Sequence, residues 1–298
     1  MVKSYKKGLI LKKNISVAHS PDADDIFMYM AIKFGWVTSK TLNFKNIALD
    51  IETLNVEAIK GTYDATAISF GLYPKIADDY AMLRCAVSFG DGYGPKLIKK
   101  KGVSLKKNFK VALSGENTSN ALIFRIAYPQ AKIIYKNFLD IENAVLNGEV
   151  DAGVLIHESI LEFDSSLCVE RELWDIWNEL SGGNLPFPLG CMALRRSMPL
   201  VDAIECEKTL TKAVKVAHDN TKTLSSMLME RNMIRVDEIK LEKYLGLYAN
   251  AESISMNELQ LKAANKLFEL GFRANFFHKL IDINDYLIPT DYENIRNS

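Results

Sequence analysis

Gly148-Glu-Val-Asp151-Ala152-Gly-Val-Leu-Ile-His157 is the stretch that decides the fold. A helical segment beginning at Ile141-Glu142 ends at Gly148, a residue that closes helices in the left-handed conformation. The aspartate–alanine pair then leads into the apolar run 152–156, which reads as a buried strand, and a histidine stands at its exit. The same pattern occurs earlier in the chain. Ile51-Glu52 opens a helical segment, Gly61-x-x-Asp64-Ala65 follows, and an apolar strand ends at Ser69. The helical parts differ by three residues, about one turn. Two helix–glycine–strand units predict two α/β lobes. Ligands of open α/β sheets bind beyond the carboxyl ends of the strands, where Ser69 and His157 stand.

Outward from these units, Ile15-Ser-Val-Ala-His19 reads as a first buried strand. Ser20-Pro21-Asp22 then opens a helix, with serine at the N-cap, proline at the first helical position and acids in the first turn. Helical spacing continues through Ile26, Phe27, Met30, Ala31 and Phe34. Strands alternate with helices up to about residue 100, which predicts a largely parallel sheet. Phe89-Gly-Asp-Gly-Tyr-Gly-Pro95 lacks the Lys-Ser/Thr ending of a phosphate loop and reads as the crossover between lobes. Ser181-Gly-Gly-Asn-Leu-Pro-Phe-Pro188-Leu-Gly190 reads as the return. Past residue 199 the pattern is helical, with Val201, Ile204, Leu210, Val214 and Ala217 on one face. Leu259, Leu267 and Leu270 recur later. The expected division is a large discontinuous lobe, 1–98 with 191–298, and a small lobe, 99–190. The helical tail is expected to pack back on the large one.

The 298 residues suffice for two domains. With 48% apolar and 25% charged residues the chain has the profile of a water-soluble globular protein. Lys plus Arg equals Asp plus Glu, 37 each, so no global field draws the chain to nucleic acid or an anionic membrane. Cys85, Cys168, Cys191 and Cys206 form no C-x-x-C pair and are expected to be reduced, structural thiols. Lys3, Lys6 and Lys7 imitate the basic start of a signal peptide, but Lys12 and Lys13 interrupt the apolar run after Leu11. A secretory core needs about 7–15 apolar residues, and no stretch approaches the roughly 20 of a membrane span. The expectation is a cytoplasmic protein, monomer or homodimer, with a small-molecule substrate and neither nucleic-acid nor membrane partners.

Among the four histidines, His218 lies within a helical pattern and His278 follows Phe276-Phe277, positions that suit structural or surface roles. His157 differs: at the exit of a buried strand it faces a cleft and can titrate near neutrality. Glu158 after it serves either to orient the ring or to cap the next helix. Ser114-Gly-Glu-Asn-Thr118-Ser119 follows the strand 110–113 and precedes a helical segment. Its hydroxyls and free N–H groups suit a substrate carboxylate, or form an ordinary N-cap. Asp22, Asp24 and Asp25 offer carboxylates for a hard cation, but acids at a helix start are favoured by the macrodipole alone. No metal site is expected. There is no G-x-S-x-G elbow and no dinucleotide G-x-G-x-x-G fingerprint.

Several segments together resemble one family, the 1,4-dihydroxy-6-naphthoate synthases of the futalosine route to menaquinone. They are Ser20-Pro-Asp-Ala-Asp-Asp-Ile-Phe27, Asp50-Ile-Glu-Thr-Leu-Asn55, Gly153-Val-Leu-Ile-His-Glu-Ser159, Leu185-Pro-Phe-Pro-Leu-Gly190 and Tyr248-Ala-Asn-Ala251. The resemblance spans approximately residues 15–275, and its most specific elements are I-H-E-S and D-I-E-T-L-N. It implies a two-lobed fold like the type II periplasmic binding proteins, with a central cleft and a helical C-terminal region, used as an enzyme. It implies cleavage of cyclic dehypoxanthine futalosine to 1,4-dihydroxy-6-naphthoate with release of a sugar-derived fragment, a carbon–carbon lyase reaction with no metal or organic cofactor. It assigns the general base to His157 and pocket hydroxyls to Ser69, Thr118 and Ser119. Ser20, Asn117 and His19 complete the expected substrate-binding set. The first motif departs from the family's common S-P-C-P-N-D, with Asp22, Ala23 and Asp24 in place of Cys, Pro and Asn. His19 precedes it where an apolar residue is common, and Thr66-Ala-Ile-Ser69 lacks a lysine that some members carry two residues before the serine.

Two other readings compete. A chorismate dehydratase of the same route shares the fold but lacks an I-H-E-S histidine at this position. A solute-binding protein serving a transporter needs export, and the interrupted apolar run at the N-terminus makes that the less expected reading.

Overall fold

A computed structural model describes residues 11–289, apart from 235 and 250 and the side chains of Asp24 and Ala251. The basic tail with Lys3, Lys6 and Lys7 lies outside the described residues, as does Asn250 of the last family segment. The first half of the chain builds β1 (Lys13–His19), α1 (Ala23–Lys33), β2 (Leu42–Ala48), α2 (Ile51–Ile59), β3 (Ala65–Ser69), α3 (Tyr73–Ile76), β4 (Tyr80–Met82) and β5 (Ser88–Gly90). There follow β6 (Lys96–Lys100), β7 (Lys110–Leu113), α4 (Ser119–Ala127), β8 (Lys132–Tyr135), α5 (Ile141–Leu146), β9 (Ala152–Leu155), β10 (Leu167–Glu172) and α6 (Leu173–Ser181). The chain ends with β11 (Phe187–Arg195) and the helices α7 (Leu200–Asp219), α8 (Thr221–Glu230), α9 (Glu238–Tyr248) and α10 (Glu258–Arg273).

The strands form two sheets. The first has the order β2-β1-β3-β11-β4, with β5 also paired to β11; the second has the order β10-β6-β9-β7-β8. The chain passes to the second sheet between Gly90 and Lys96 and is back in the first at Phe187. The two predicted units occupy equivalent places. Strand β3 lies between the parallel β1 and the antiparallel β11, and β9 lies between the parallel β7 and the antiparallel β6. The reversed strand of each sheet is thus the one that first enters it after a crossover, which the parallel pattern read from the sequence did not contain. Gly61 and Gly148 adopt φ of +68° and +71°, as a left-handed helix ending requires. The repeated aspartates have one shared task. Asp64 Oδ2 accepts from Ser16 N at 2.9 Å and Asp151 Oδ2 from Lys110 N at 2.7 Å, each fastening its strand to the parallel neighbour.

All of β3 and β9 is buried, which fits apolar runs covered on both faces. One apolar cluster joins Ile68 and Phe70 of the first half to Val111, Leu113 and Val154 of the second. In the tail, α7 packs against α1, and α10 touches both β11 and α6, so it bridges the halves. One boundary differs from expectation. Helix α1 starts at Ala23 with Asp22, not Ser20, at the N-cap position, and the Asp22 side chain makes no capping bond. The first-turn amide of Ala23 donates instead to Glu158 Oε1 at 2.9 Å, an acceptor brought from the other sheet.

Candidate functional site

Where the two sheets face each other, their strand ends line a cleft whose cavity measures about 90 Å³. The first half contributes Ser20, Asp22, Asp25 and Ser69, the second Thr118, Ser119, Asn120, Ile156 and His157. Strand β11 adds Leu189, Gly190 and Cys191, and α9 of the helical tail adds Tyr244 and Tyr248.

His157 opens the single helical turn that follows β9, and its φ is +53°. A non-glycine residue in that region is held there by its surroundings, commonly at functional sites. Its Nδ1 pairs with Asp22 Oδ2, and the ring of Phe138 meets it edge-on at 4.9 Å. The Asp22 side chain is 4% exposed and that of His157 15%. Burial works to raise the Asp22 carboxyl, but the charge and hydrogen bond of His157 outweigh it and hold the group below the usual carboxylate range. Asp25 is its opposite. Burial and the neighbouring Asp22 push its carboxyl up to about 8, against the bond it accepts from Ser20 N at 2.8 Å.

Ser69 at the end of β3 is clamped by Asn55. Asn55 Oδ1 accepts from Ser69 N at 2.9 Å, and Asn55 Nδ2 donates to Ser69 Oγ at 3.1 Å. The D-I-E-T-L-N segment therefore has three distinct duties. Asp50 caps α2 through Thr53 N, Asn55 fixes Ser69, and Glu52 reaches across to the second half. Glu52 accepts from the backbone N–H of Glu116 and Asn117 and from Asn117 Nδ2 at 2.9 Å. Burial raises its carboxyl above the ordinary value despite these bonds.

The start of α4 is more committed than the sequence implies. Thr118 Oγ1 is the N-cap, accepting from Ala121 N at 3.2 Å, and it also donates to Gly115 O. Ser119 Oγ donates to Leu189 O at 2.7 Å and accepts from Gly71 N at 3.0 Å, tying the halves together. Asn117 does not line the cavity: it is engaged by Glu52 and by Lys75 Nζ. His19 is also absent from the cavity wall. It is 2% exposed, its Nδ1 lies 2.7 Å from Ser20 O, and it stacks on Tyr29. Burial lowers its pKa, so it is neutral, and it borders a separate, smaller cavity. Glu158 caps α1 through the Ala23 amide, and His278 is exposed. Among the described residues no group of three or more His, Cys, Asp or Glu is placed to hold a metal ion, and no helix is long and apolar enough to cross a membrane.

A family model described as "Menaquinone biosynthesis" matches residues 15–273. The chain belongs to that menaquinone-biosynthesis family. Two relatives carry the name 1,4-dihydroxy-6-naphthoate synthase. The one from Streptomyces coelicolor is 27% identical over 82% of this chain and 88% of its own. The one from Thermus thermophilus is 27% identical over 85% of this chain and 92% of its own. A crystal structure of an Archaeoglobus fulgidus protein superposes with a TM-score of 0.83 at 34% identity, covering 89% of this chain and 98% of that one. The periplasmic aliphatic sulphonate binding protein of Escherichia coli superposes at 0.61 with 11% identity, over 92% of this chain and 91% of its own. The fold of this menaquinone-biosynthesis protein is accordingly that of the periplasmic binding proteins.

Proposed function

We propose that this chain is a 1,4-dihydroxy-6-naphthoate synthase, a carbon–carbon lyase that converts cyclic dehypoxanthine futalosine to the naphthoate and a sugar-derived fragment, with His157 as general base. The observation that carries the reading is the buried pairing of His157 with Asp22 on the wall of the cleft between the two sheets. Breaking a carbon–carbon bond to release an aromatic ring is aided by removing a proton as the electrons reorganise, and an imidazole suits that task near neutrality. Asp25, kept protonated near neutral pH, stands at the same wall as a hydrogen-bond donor rather than as a second anion beside Asp22. The start of α4, framed by Thr118 and Ser119, takes the substrate carboxylate through the positive end of the helix. Ser69 and Ser20 bind from the facing wall.

The small lobe, residues 99–190, closes on the large lobe, 1–98 with 191–298, around the substrate. Glu52 on Asn117 and Ser119 on Leu189 are among the contacts that hold the halves together. No group of this mechanism requires a metal or organic cofactor. The test is incubation of the purified chain with cyclic dehypoxanthine futalosine and mass spectrometry of the products. Appearance of the naphthoate supports the reading. Unreacted substrate retained on the protein would make it a binding protein instead.

A further inference from the structure

We propose that Asp22 is the positioning residue of His157: reaching it from the opposite half of the fold, it holds Nδ1 protonated so that Nε2 is the atom that accepts the proton. The inference rests on His157 being the base, and it concerns a position where this sequence departs from the cysteine common at that place in the family's first motif.

Four observations carry it. Asp22 Oδ2 pairs with Nδ1 of the ring, and a carboxylate only accepts, so the proton between them belongs to the imidazole. The carboxylate stands at the N-cap position of α1, where aspartate ordinarily accepts from the first-turn amides, yet it makes no such bond. That duty passes to Glu158, whose Oε1 takes the Ala23 amide at 2.9 Å. The residue after the base thus caps the helix, and the residue at the cap position serves the base. This exchange also ties the two segments in register, because the His157–Asp22 and Glu158–Ala23 contacts are consecutive. Finally, the ring is packed at the site: Phe138 meets it edge-on, and its backbone sits at φ +53°.

Among the described residues, the charged and titratable groups around the ring come from α1, from its own turn and from α9. Asp22 and Asp25 come from the loop and first turn of α1, Glu158 adjoins on its own turn, and His19 lies behind Asp22. Tyr244 and Tyr248 of α9 face the same cavity. Only Asp22 among these forms an ion pair with Nδ1 among the described residues.

The test uses ¹⁵N-imidazole correlation spectra of the whole chain, without substrate, alongside kinetics. In the wild type the neutral His157 ring carries its proton on Nδ1. In Asp22→Asn the amide presents an N–H to Nδ1, and the proton moves to Nε2. Turnover of that variant falls by about 100-fold or more, as for other imidazole bases given the wrong tautomer, while KM stays within about threefold. The acid limb of its kcat/KM profile moves to lower pH, because the anion that favoured the imidazolium is gone. A merely structural Asp22 lowers the melting temperature without moving the tautomer or the pH limb. A wild-type His157 protonated on Nε2 overturns the proposal by itself, whether or not the variant folds. The spectra stand independently of the reaction, so a wild type that makes no naphthoate removes the functional reading and leaves this one to be judged.

Discussion

Gly71 packs directly against the backbone at the start of α4 in the other half, and adding one methyl group there tests whether closure of the halves matters. An alanine Cβ at this position lies 2.9 Å from Ser119 Cα and 3.1 Å from both Ser119 N and Thr118 O. All three are backbone atoms, so no side-chain rotation relieves the clash. Restoring ordinary carbon contacts of about 3.5–4.0 Å moves α4 away from the end of β3 by roughly 0.5–1 Å. That shift stretches the Gly71 N to Ser119 Oγ bond of 3.0 Å and disturbs the partner bond to Leu189 O. Overpacking of this kind costs about 1–3 kcal/mol, and the loss of a neutral hydrogen bond about 0.5–1.5 kcal/mol. If substrate binds only between closed halves, Gly71→Ala weakens naphthoate binding by about tenfold to a few hundredfold. Titration calorimetry with the naphthoate measures the affinity, and small-angle scattering of the same samples reports how far apart the halves stand. Ser119→Ala is the control, since it deletes the hydrogen bonds without the clash and is expected to have the smaller effect. Wild-type affinity and an unchanged scattering profile in Gly71→Ala would refute the reasoning, because they place the binding site away from this contact.

His157→Asn keeps polarity and approximate size while removing the titrating ring. It is expected to bind product and to lose about 10²–10⁴-fold in single-turnover rate; near-normal turnover in a well-folded variant excludes the residue. Asp25, with a folded pKa of about 8 against 3.8 unfolded, binds its proton more tightly in the folded state, so its contribution to stability declines as pH rises from about 4 to 8. Asp25→Asn keeps an acceptor for Ser20 N and removes that decline, so denaturant midpoints of variant and wild type should diverge by a growing margin between pH 5 and 8.5; parallel pH dependences count against it. Replacing Thr118 and Ser119 together with alanine is expected to weaken naphthoate binding by loosening the start of α4, since both hydroxyl protons are already given to the carbonyls of Gly115 and Leu189. It should also cost about 1 kcal/mol of stability through the lost cap on α4, and unchanged affinity in titration calorimetry moves the carboxylate elsewhere.

The parts of this fold that were legible in the sequence are those written locally. Gly61 and Gly148 end helices in the left-handed region because no tertiary contact has to be known for glycine to be the favoured residue there. The strands after them are buried throughout because they are central in their sheets, and His157 and Ser69 mark their exits. What failed was decided by distant contacts. The start of α1 was misplaced because its first-turn amide is capped by Glu158, 135 residues away in sequence. The acids at that helix start looked like ordinary macrodipole partners. Nothing local distinguishes Asp22, whose carboxylate serves an imidazole on another sheet, from Asp25, whose carboxyl is driven to hold its proton. His19 looked like a cleft residue because it adjoins Ser20, but it is the last residue of β1 and its ring is buried against Tyr29 of α1. Ser20 beyond it borders the main cavity.

The same distinction explains the motifs. Asp50-Ile-Glu-Thr-Leu-Asn55 is recognisable as a string, but only the structure separates the cap at Asp50, the clamp of Asn55 on Ser69 and the reach of Glu52 to Asn117. Two of those three duties end on other elements, as does the Glu158 of I-H-E-S. A segment whose side chains serve remote partners cannot vary one residue at a time, since each change leaves a buried donor or acceptor elsewhere without its mate. The exception is the first motif, where Asp22 stands in place of the common cysteine. Such a replacement at a buried position is tolerable only if the charge of the new carboxylate is compensated, and the partner that compensates it is His157.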